Sequence, residues 1–382
     1  MKLSSRSRIS PFIVMEVMAA AAAREAAGGD VLHLEVGQPA TPAPQGVLRA
    51  AQMALAADRI GYTLALGLPE LRQRIALHYR ETHGVEVAPE RVVVTTGSSA
   101  GFLLAFLALF DPGKRVAIAS PGYPAYRNIM EVLNIESVLV PCAAENGFQP
   151  TAELLRQAAL EKPLDGLLVA SPANPTGSML EDARFAELAR YCRAQDMTLI
   201  SDEIYHGITY GRQAQTALAF APDAVIINSF SKYFSMTGWR LGWMVVPEIL
   251  LRAVERISQN LFISPPTLSQ HAALAAFDCR EELDRNVEVY AANRELLLRE
   301  LPRAGFTRFA PADGAFYLYA DISHLTNDAE DFCRKMLRET GVAATPGVDF
   351  DPVRGQHYVR FSFAGSTEMM AEAAKRLKKW LA

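Results

Sequence analysis

The sequence has few cysteines, no long apolar run and no excess of charge of either sign. The four cysteines are widely separated: Cys142, Cys192, Cys279 and Cys333. No Cys-x-x-Cys spacing of a metal or redox site exists, so a reducing compartment is the simplest interpretation. The most apolar run, Phe102 to Phe110, is well short of the roughly 20 residues that cross a bilayer. We therefore expect a cytoplasmic protein with no bound metal, and we interpret this run as a buried core helix.

The charge balance also limits the classes of partner. With 38 basic and 42 acidic residues and a formal net charge of −4, the chain shows no long run of one sign. Nucleic-acid and membrane surfaces are therefore not expected as partners. The 382 residues, 50% of them apolar, suit a compact protein of about two domains. The expected partners are small molecules or a second copy of the chain.

The N-terminal segment superficially resembles a targeting peptide because basic residues stand among serines. Charged residues interrupt the apolar stretch that follows. Ser10 and Pro11 are typical of a helix N-cap and first helical residue, and Gly28-Gly29 is typical of a helix end. We therefore predict a helix of the mature protein between these points.

From about residue 90, short apolar runs rich in β-branched residues alternate with helical patterns. These predicted strands are Arg91–Thr96, Arg115–Ala119, Gly166–Ala170, Thr198–Asp202, Ala224–Asn228 and Leu241–Val246. Strands that are apolar on both faces and separated by helices predict a mostly parallel sheet covered on both sides, which is a three-layer α/β domain.

After about residue 248 the pattern is rich in helices, and two alternating strands follow, Ala315–Ala320 and His357–Ala364. This pattern predicts a smaller α+β domain. We expect an N-terminal arm and helix over 1–36, a large domain over 37–277 and a small domain over 278–382. Neither repeats nor a flexible linker occur, so the domains should pack together.

Four polar motifs follow predicted strands. They are Thr96-Gly97-Ser98-Ser99-Ala100-Gly101, Ser171-Pro172-Ala173-Asn174-Pro175-Thr176-Gly177, Asp202-Glu203-Ile204-Tyr205 and Ser229-Phe230-Ser231-Lys232. Ligands of open parallel sheets bind beyond the carboxyl ends of the strands. The four motifs are therefore expected to converge on one edge of the sheet.

Two of these motifs suit an anion. Ser98, Ser99 and Ala100 open an apolar helix, where free N–H groups could bind a phosphate, although ordinary capping by serine explains many such segments. Lys232 stands among hydroxyls and a guanidinium, namely Ser229, Ser231, Thr237 and Arg240. These donors suit a phosphate dianion, and the amine could form an imine with an aldehyde.

Asp202 ends an apolar strand, as does the magnesium-binding aspartate of a P-loop NTPase. That class requires a G-x-x-x-x-G-K-[ST] loop upstream, and the nearest candidate, Gly113-Lys114-Arg115, lacks the leading glycine and the hydroxyl. A carboxylate at this position can instead hold a proton on a pyridine nitrogen, which makes the ring an electron sink.

Taken in order, these motifs resemble the class I/II (fold type I) pyridoxal 5′-phosphate aminotransferases over nearly the whole chain. The matching stretches are Val36-Gly37-Gln38-Pro39, Tyr62-Thr63, Gly67-Leu68-Pro69-Glu70-Leu71-Arg72, Pro121-Gly122-Tyr123-Pro124, Asn174-Pro175-Thr176-Gly177, Asp202-Glu203-Ile204-Tyr205, Ser229-Phe230-Ser231-Lys232, Gly238-Trp239-Arg240-Leu241-Gly242 and Val359-Arg360-Phe361. The ordered set is specific, although each piece alone is not.

The resemblance implies the fold, the cofactor and a role for each residue. Lys232 would form the Schiff base and move the substrate proton, and Asp202 would bind the pyridine nitrogen. The other cofactor contacts would be Tyr123 on the ring face, Asn174 and Tyr205 on the ring hydroxyl, and Ser98, Ser99, Ala100, Ser229, Ser231 and Arg240 around the phosphate. Tyr62 would reach the phosphate of the neighbouring subunit, which implies a homodimer.

The resemblance also implies how the substrate binds. Arg360 lies on an alternating strand, where position alone would equally allow a surface ion pair. The family places there the arginine that forks the substrate α-carboxylate, with Asn174 and the Gly37 backbone close by. The reaction would then be a two-stage ping-pong transfer between a small L-amino acid and a 2-oxo acid of the pyruvate or 2-oxoglutarate type.

Three other functions compete with this one. A β-eliminating C–S lyase shares the fold and the cofactor motifs. An effector-sensing half of a transcriptional regulator would need a DNA-binding segment, and no winged-helix pattern precedes the first helix. A nicotinamide dehydrogenase would need G-x-G-x-x-G after the first strand, which is absent.

Substrate preference is the least determined property. Aspartate-preferring relatives use an extra basic residue, and the stretch that often lines that pocket, Gln259-Asn260-Leu261-Phe262-Ile263-Ser264, contains no arginine. Either another residue binds a side-chain carboxylate or the preferred side chain is small or apolar, as in alanine, valine or an aromatic amino acid. Pro39-Ala40-Thr41-Pro42 lacks the aromatic residue of the family's Gly-x-Pro-x-Phe start.

Overall fold

The structure is a computed structural model that describes residues 2–382. Its α-helices are α1 (Ile13–Ala26), α2 (Gln45–Ala56), α3 (Pro69–His83), α4 (Gly97–Leu109), α5 (Pro124–Val132), α6 (Ala152–Ala158), α7 (Asp182–Ala194), α8 (Glu248–Leu261), α9 (Thr267–Leu274), α10 (Arg280–Glu300), α11 (Ala329–Thr340) and α12 (Thr367–Leu381).

The strands of the described residues form three sheets. They are β1 (Leu32–His33), β2 (Val92–Thr95), β3 (Arg115–Ser120), β4 (Glu136–Pro141), β5 (Gly166–Ala170), β6 (Thr198–Asp202), β7 (Val225–Ser229), β8 (Gly242–Val245), β9 (Arg308–Phe309), β10 (Tyr317–Asp321), β11 (Val342–Ala343), β12 (Thr345–Pro346) and β13 (Tyr358–Ser362).

The large sheet has seven strands in the order β2-β8-β7-β6-β5-β3-β4. Strand β8 is antiparallel to both β2 and β7, and the remaining pairs are parallel. Because β8 is antiparallel to the strands on both of its sides, β2 runs in the same direction as β5, β6 and β7. The carboxyl ends of these four strands therefore lie at one edge, and the predicted mostly parallel, mixed α/β sheet is confirmed.

All six predicted strands of this sheet are present, with ends shifted by one residue at most. Strand β4 was missed. It is an edge strand in which Val140 alone is fully buried, so its sequence lacks the continuous apolar run that marks the interior strands. The run from Phe102 to Phe110 is a core helix as predicted, because α4 packs against β7 and β8 and buries Phe102, Leu104 and Phe106.

The predicted start of the first helix is wrong. Ser10 and Pro11 precede it, α1 begins at Ile13, and its N-cap residue Phe12 makes no side-chain capping hydrogen bond. The local sequence favours a cap at Ser10, but a carboxylate that is remote in sequence binds the first N–H groups instead, as described below. The predicted end is confirmed, since α1 stops just before Gly28, whose φ is +84°.

A four-stranded sheet in the order β12-β13-β10-β9 packs with α10, α11 and α12 around a second core. The two predicted strands of this α+β part are its central pair, β10 and β13. Strand β1 pairs in parallel with β11, which ties the N-terminal segment to this part of the chain. The domain boundaries at 36/37 and 277/278 stay a prediction. Within residues 2–382, every helix is too short or too polar to cross a membrane.

Candidate active site

A pocket of ≈ 180 Å³ lies at the carboxyl edge of the large sheet, against the α+β part. Most residues that the sequence predicted for the site line it: Gly37, Ser98, Ser99, Tyr123, Asn174, Asp202, Tyr205, Ser231, Lys232, Arg240 and Arg360. Ala100, Ser229 and Tyr62 do not line it. Ala100 is buried in the first turn of α4, and Tyr62 is 85% exposed. The four motifs that follow strand ends therefore meet at one pocket, as the sequence predicted.

Lys232 follows β7 and points into this pocket. Its Nζ donates a hydrogen bond to the carbonyl of Gly37 at 2.6 Å and lies 5.8 Å from the centre of the Tyr205 ring. Burial first, and then the positive charge of Arg360, lower the pKa of the Lys232 amine to about 8. The uncharged amine, which a nucleophile or base requires, is therefore far more populated near neutral pH than in an ordinary lysine.

Asp202 ends β6 and is almost completely buried. Its Oδ1 accepts the N–H of Ile204 at 3.1 Å, and its Oδ2 accepts the hydroxyl of Tyr126. Burial raises the pKa of Asp202 to about 6, while these two hydrogen bonds oppose the rise. A carboxylate so deeply buried is stabilised by a cationic N–H opposite it, such as a protonated pyridine nitrogen.

Tyr126 lines the pocket and contacts Asp202, and the sequence reasoning missed it. It lies three residues after Tyr123, so both side chains share one face at the start of α5. Their rings meet edge-on with centroids 5.3 Å apart. The sequence signal that could have identified Tyr126 is its spacing of three residues after Tyr123 in the Pro121-Gly122-Tyr123-Pro124 motif.

Replacing Tyr126 by phenylalanine should lower kcat by about fivefold to tenfold, since one hydrogen bond to a buried carboxylate is lost. The same loss removes an interaction that lowers the pKa of Asp202, so the acid limb of the pH profile should move to higher pH. Steady-state rates between about pH 5 and 9 measure both effects. Tyr191→Phe, a hydroxyl deletion on α7, is the control and should leave the profile unchanged. An unshifted limb in the Tyr126 variant would count against this contact.

Glu203, beside Asp202 in sequence, turns to the other side of the sheet. Its Oε1 accepts the Thr216 hydroxyl at 3.0 Å and the Ala217 N–H at 2.8 Å. Burial raises its pKa to about 8. Glu203 therefore holds the segment after β6 in place, and Asp202 alone of the Asp-Glu pair reaches the pocket.

An anion cradle lies at the start of α4. Ser98 and Ser99 occupy the first turn of the helix, where N–H groups lack intrahelical partners. Arg240 closes the other side, and a Cβ on Gly97 would stand 2.7 Å from its Nη2. The Ser229 hydroxyl donates to the Ser231 hydroxyl at 2.9 Å, so Ser229 supports the cradle from behind the pocket wall. This set of donors fits a phosphate.

Arg360 is buried on β13, and its guanidinium lies between two aromatic rings. The ring centroids of Tyr317 and Phe350 are 4.4 and 4.7 Å from its Cζ. Nη1 donates to the side-chain oxygen of Asn174 at 2.9 Å, and Nη2 donates to Thr345 Oγ1 at 3.2 Å. The Nε is buried without a hydrogen-bond partner among residues 2–382. A buried cation with an unused donor is suited to a carboxylate ligand.

Tyr317 was also missed, although its strand was predicted. Its hydroxyl is 2.7 Å from the hydroxyl of Tyr205. A Cβ on Gly37 would lie 2.0 Å from the same Tyr317 oxygen, so the close approach of this backbone requires glycine. The strand pairing of β10 with β13, which places Tyr317 opposite Ser362, could not be read from either segment alone.

The fold and the site together define a class of protein. Residues 29–377 match the family model described as aminotransferase class I and II, and the chain belongs to that family. It is an aminotransferase of fold type I, and pyridoxal 5′-phosphate, the cofactor of the family, is its cofactor. The β-eliminating alternative is not favoured.

Individual relatives are similar over full length. The valine–pyruvate aminotransferase of Mycobacterium tuberculosis is 51% identical over 384 residues, which cover 100% of this chain and 98% of that protein. The crystal structure of an aminotransferase from Mycobacterium tuberculosis superposes with a TM-score of 0.97 at 51% identity, covering 100% and 99% of the two chains. The aspartate/prephenate aminotransferase of Thermus thermophilus is 33% identical over 378 residues, with 98% and 97% covered.

The residues present fit this cofactor. The anion cradle at α4 suits its phosphate, the buried Asp202 suits a protonated ring nitrogen, and Lys232 with its lowered pKa suits an aldehyde. These three features surround one pocket, at spacings set by the ends of different strands. The cofactor therefore agrees with the geometry as well as with the family.

Proposed function

We propose that this enzyme transfers the amino group of a small apolar L-amino acid, with L-valine as the leading donor, to pyruvate. The lining of the pocket supports this choice. Lys232, Arg240 and Arg360 are its cationic residues within the described chain, and the part of the wall formed by the N-terminal segment is apolar, with Phe12, Val14, Met15, Met18 and Val36. The similarity to a relative named for valine and pyruvate points the same way.

The charges that line the pocket favour apolar substrates over acidic ones. A second carboxylate, as in aspartate or 2-oxoglutarate, would need its own cation, because an unpaired charge next to apolar side chains costs several kcal/mol. Arg360 is suited to the α-carboxylate and Arg240 to the phosphate. A donor or acceptor with an uncharged side chain avoids this cost.

We propose a division of labour among the residues of the pocket. Lys232 binds the cofactor covalently and, when freed by the substrate, takes the proton from the substrate Cα with its uncharged amine. Asp202 holds a proton on the ring nitrogen. Pyridoxal 5′-phosphate, when bound, supplies an aldehyde for the amino group and a ring that delocalises the electron pair left at Cα.

The remaining roles orient these groups. Tyr123 covers one face of the ring, and Asn174 and Tyr205 bind the ring hydroxyl. The phosphate is bound by Ser98, Ser99, Ala100, Ser229, Ser231 and Arg240. Arg360 forks the α-carboxylate, with the Gly37 backbone beside it. Because Asn174 already accepts from Arg360, the groups that bind ring and substrate form one connected network.

Single turnover without an acceptor tests this function. Holoenzyme mixed with L-valine should release about one equivalent of the 2-oxo acid per site and then stop, since a ping-pong transfer needs an acceptor to continue. We expect kcat/KM for L-valine to exceed that for L-aspartate by about 100-fold, because leaving the side-chain carboxylate of aspartate buried and unpaired costs free energy of that order. Equal or better use of L-aspartate would contradict the proposed donor. With L-cysteine, which carries a leaving group on Cβ, continuous release of ammonia and pyruvate would indicate elimination instead.

We also propose a homodimer, located in the cytoplasm, in which Tyr62 reaches the phosphate of the partner subunit. In the single chain, Tyr62, Leu64, Leu261 and Ile263 are at least half exposed on two neighbouring segments. Large exposed apolar clusters of this kind mark interfaces. Ser99 and Arg240 are also exposed, so the cradle is open on one side. All four cysteines are free, which suits a reducing compartment.

The variant Tyr62→Phe should weaken cofactor affinity by about tenfold, the effect of losing one hydrogen bond to a charged phosphate. The dimer itself should persist, because the ring remains. Cofactor titration monitors the first quantity, and sedimentation at about twice the chain mass of 41.8 kDa monitors the second. Tyr191→Phe is the matched control. If the Tyr62 variant keeps full cofactor affinity, its hydroxyl does not reach the phosphate.

A further inference from the structure

The first turns of α1 form one wall of the pocket. Phe12, Met15 and Met18 line the cavity together with Val14. Phe12 packs edge-on against Tyr123, with ring centroids 5.7 Å apart. The exact position of this helix end therefore sets the shape of the cavity on that side.

Helix α1 is held weakly by its own packing. Of its 14 residues, Val14 and Ala21 are buried. Its carboxyl end is tied down by Arg24, which donates to the carbonyls of Arg338 at 2.9 Å and Asp30 at 3.0 Å. The amino end has no cap from its own N-cap residue, Phe12. A helix end without a cap leaves N–H groups unpaired, so an external partner is needed to fix it.

Asp349 is that partner, although it lies 336 residues away in sequence. Its Oδ1 accepts the N–H of Ile13 at 3.2 Å, and its Oδ2 accepts the N–H of Val14 at 3.4 Å. The carboxylate is 1% exposed. Arg127 fixes the backbone of the same residue by donating to the Asp349 carbonyl at 2.6 Å. A carboxylate at a helix N-terminus is favoured by the helix dipole as well as by the hydrogen bonds.

The residue after Asp349 contacts the other side of the substrate site. Phe350 packs on the guanidinium of Arg360, and its carbonyl accepts the N–H of Gly122, beside Tyr123. One short segment thus contacts the apolar wall and the group suited to the substrate carboxylate. The distance between wall and guanidinium is therefore fixed by consecutive residues of the chain.

We propose that Asp349 is a positioning residue for substrate selection, which holds the start of α1 so that Phe12, Met15 and Met18 contact a branched apolar side chain of the amino acid. The inference rests on the proposed function for the nature of that side chain. Asp349 does not contact the pocket itself. Its loss should raise KM for donors that reach the wall and leave kcat largely unchanged.

The kinetic test compares two donors in the holoenzyme. Asp349→Ala should lower kcat/KM by about tenfold for L-valine, the size of a lost helix cap, and by about twofold or less for L-alanine, whose methyl group is short. Asp328→Ala is the control. The Asp328 carboxylate is the exposed N-cap of α11 and accepts the Asp331 N–H at 2.9 Å, so its removal should change neither kcat/KM value. Equal losses for the two donors in Asp349→Ala would overturn the proposal.

Hydrogen exchange tests the cap without any substrate. Amides of residues 11–26 should exchange faster in Asp349→Ala than in the wild type, and at the wild-type rate in Asp328→Ala, which instead loosens α11. Asp349→Asn keeps one acceptor oxygen and the shape of the side chain, so it should be intermediate and serves if the alanine variant does not fold. Unchanged exchange in both Asp349 variants would refute the cap. If the wild-type enzyme does not use L-valine as a donor, the proposed function is wrong. The exchange rates would still decide whether Asp349 caps α1.

Discussion

Replacing Lys232 by alanine should lower kcat by ~10⁴-fold or more, the upper end of what a positioned general base contributes. The reason is that a single amine serves two purposes: it binds the cofactor aldehyde and moves the proton at the substrate Cα. Burial and Arg360 lower its pKa to about 8, so the amine acts in its uncharged form, and the cavity holds no second lysine among its lining residues within 2–382. Multiple turnovers with L-valine and pyruvate measure the loss.

The covalent bond gives this prediction a second readout. After borohydride reduction, mass spectrometry should find the cofactor mass on the peptide that contains Lys232 in the wild type and no such mass in the variant. Lys114→Ala is the control. Lys114 is exposed and pairs with Asp165 at 2.7 Å, away from the pocket, so its loss should leave rates unchanged. Substantial multiple turnover by the Lys232 variant would exclude the assigned role.

Most of the large sheet could be predicted because its strands are buried on both faces. Segments such as Val92–Thr95 and Gly166–Ala170 are continuous apolar runs, which local sequence reveals directly. Strand β4 escaped because half-exposed edge strands carry no such run. The helix start at Ile13 escaped for a different reason: its cap is Asp349, and no local pattern reports a contact made across the whole chain.

The site was predictable to the extent that it follows strand ends. Asp202 ends one recognisable strand and Lys232 closely follows another, so topology alone brings them to one edge. Tyr126 contacts Asp202, and Tyr317 contacts Tyr205, from other elements through tertiary packing, which the sequence does not specify. The resemblance to a family supplied the roles, and the geometry adds which groups support them.

The charges of the pocket depend on one another. Burial raises the pKa of Asp202, which favours the protonated acid unless a cation lies opposite the carboxylate. Burial and the charge of Arg360 lower the pKa of Lys232, which makes the uncharged amine more accessible near neutral pH. The permanently charged arginines of the pocket, Arg360 and Arg240, lie where an anionic ligand is expected. Burial, rather than direct pairing of Lys232 with Asp202, sets the protonation states.

Replacing Arg360 by alanine should lower kcat/KM for the amino acid by about 10²–10³-fold, the usual result of removing one partner of a buried, hydrogen-bonded charge pair. The loss should fall mainly on KM, because the guanidinium is suited to the substrate carboxylate and does not move a proton. Arg360→Lys should recover little of it, since an ammonium lacks the planar fork that fits between Tyr317 and Phe350.

Two further measurements separate substrate binding from general damage. Cofactor affinity should be essentially unchanged in Arg360→Ala, and the pH limb that reports Lys232 should move to higher pH, because one cause of its lowered pKa is gone. Arg308→Ala is the matched control on the same small sheet: this arginine is 58% exposed and pairs with Asp321, so its removal should alter neither KM nor the pH profile. An unchanged KM in Arg360→Ala would place the carboxylate site elsewhere, whereas a shared loss of cofactor and substrate affinity would mean that Arg360 acts on the fold of the pocket.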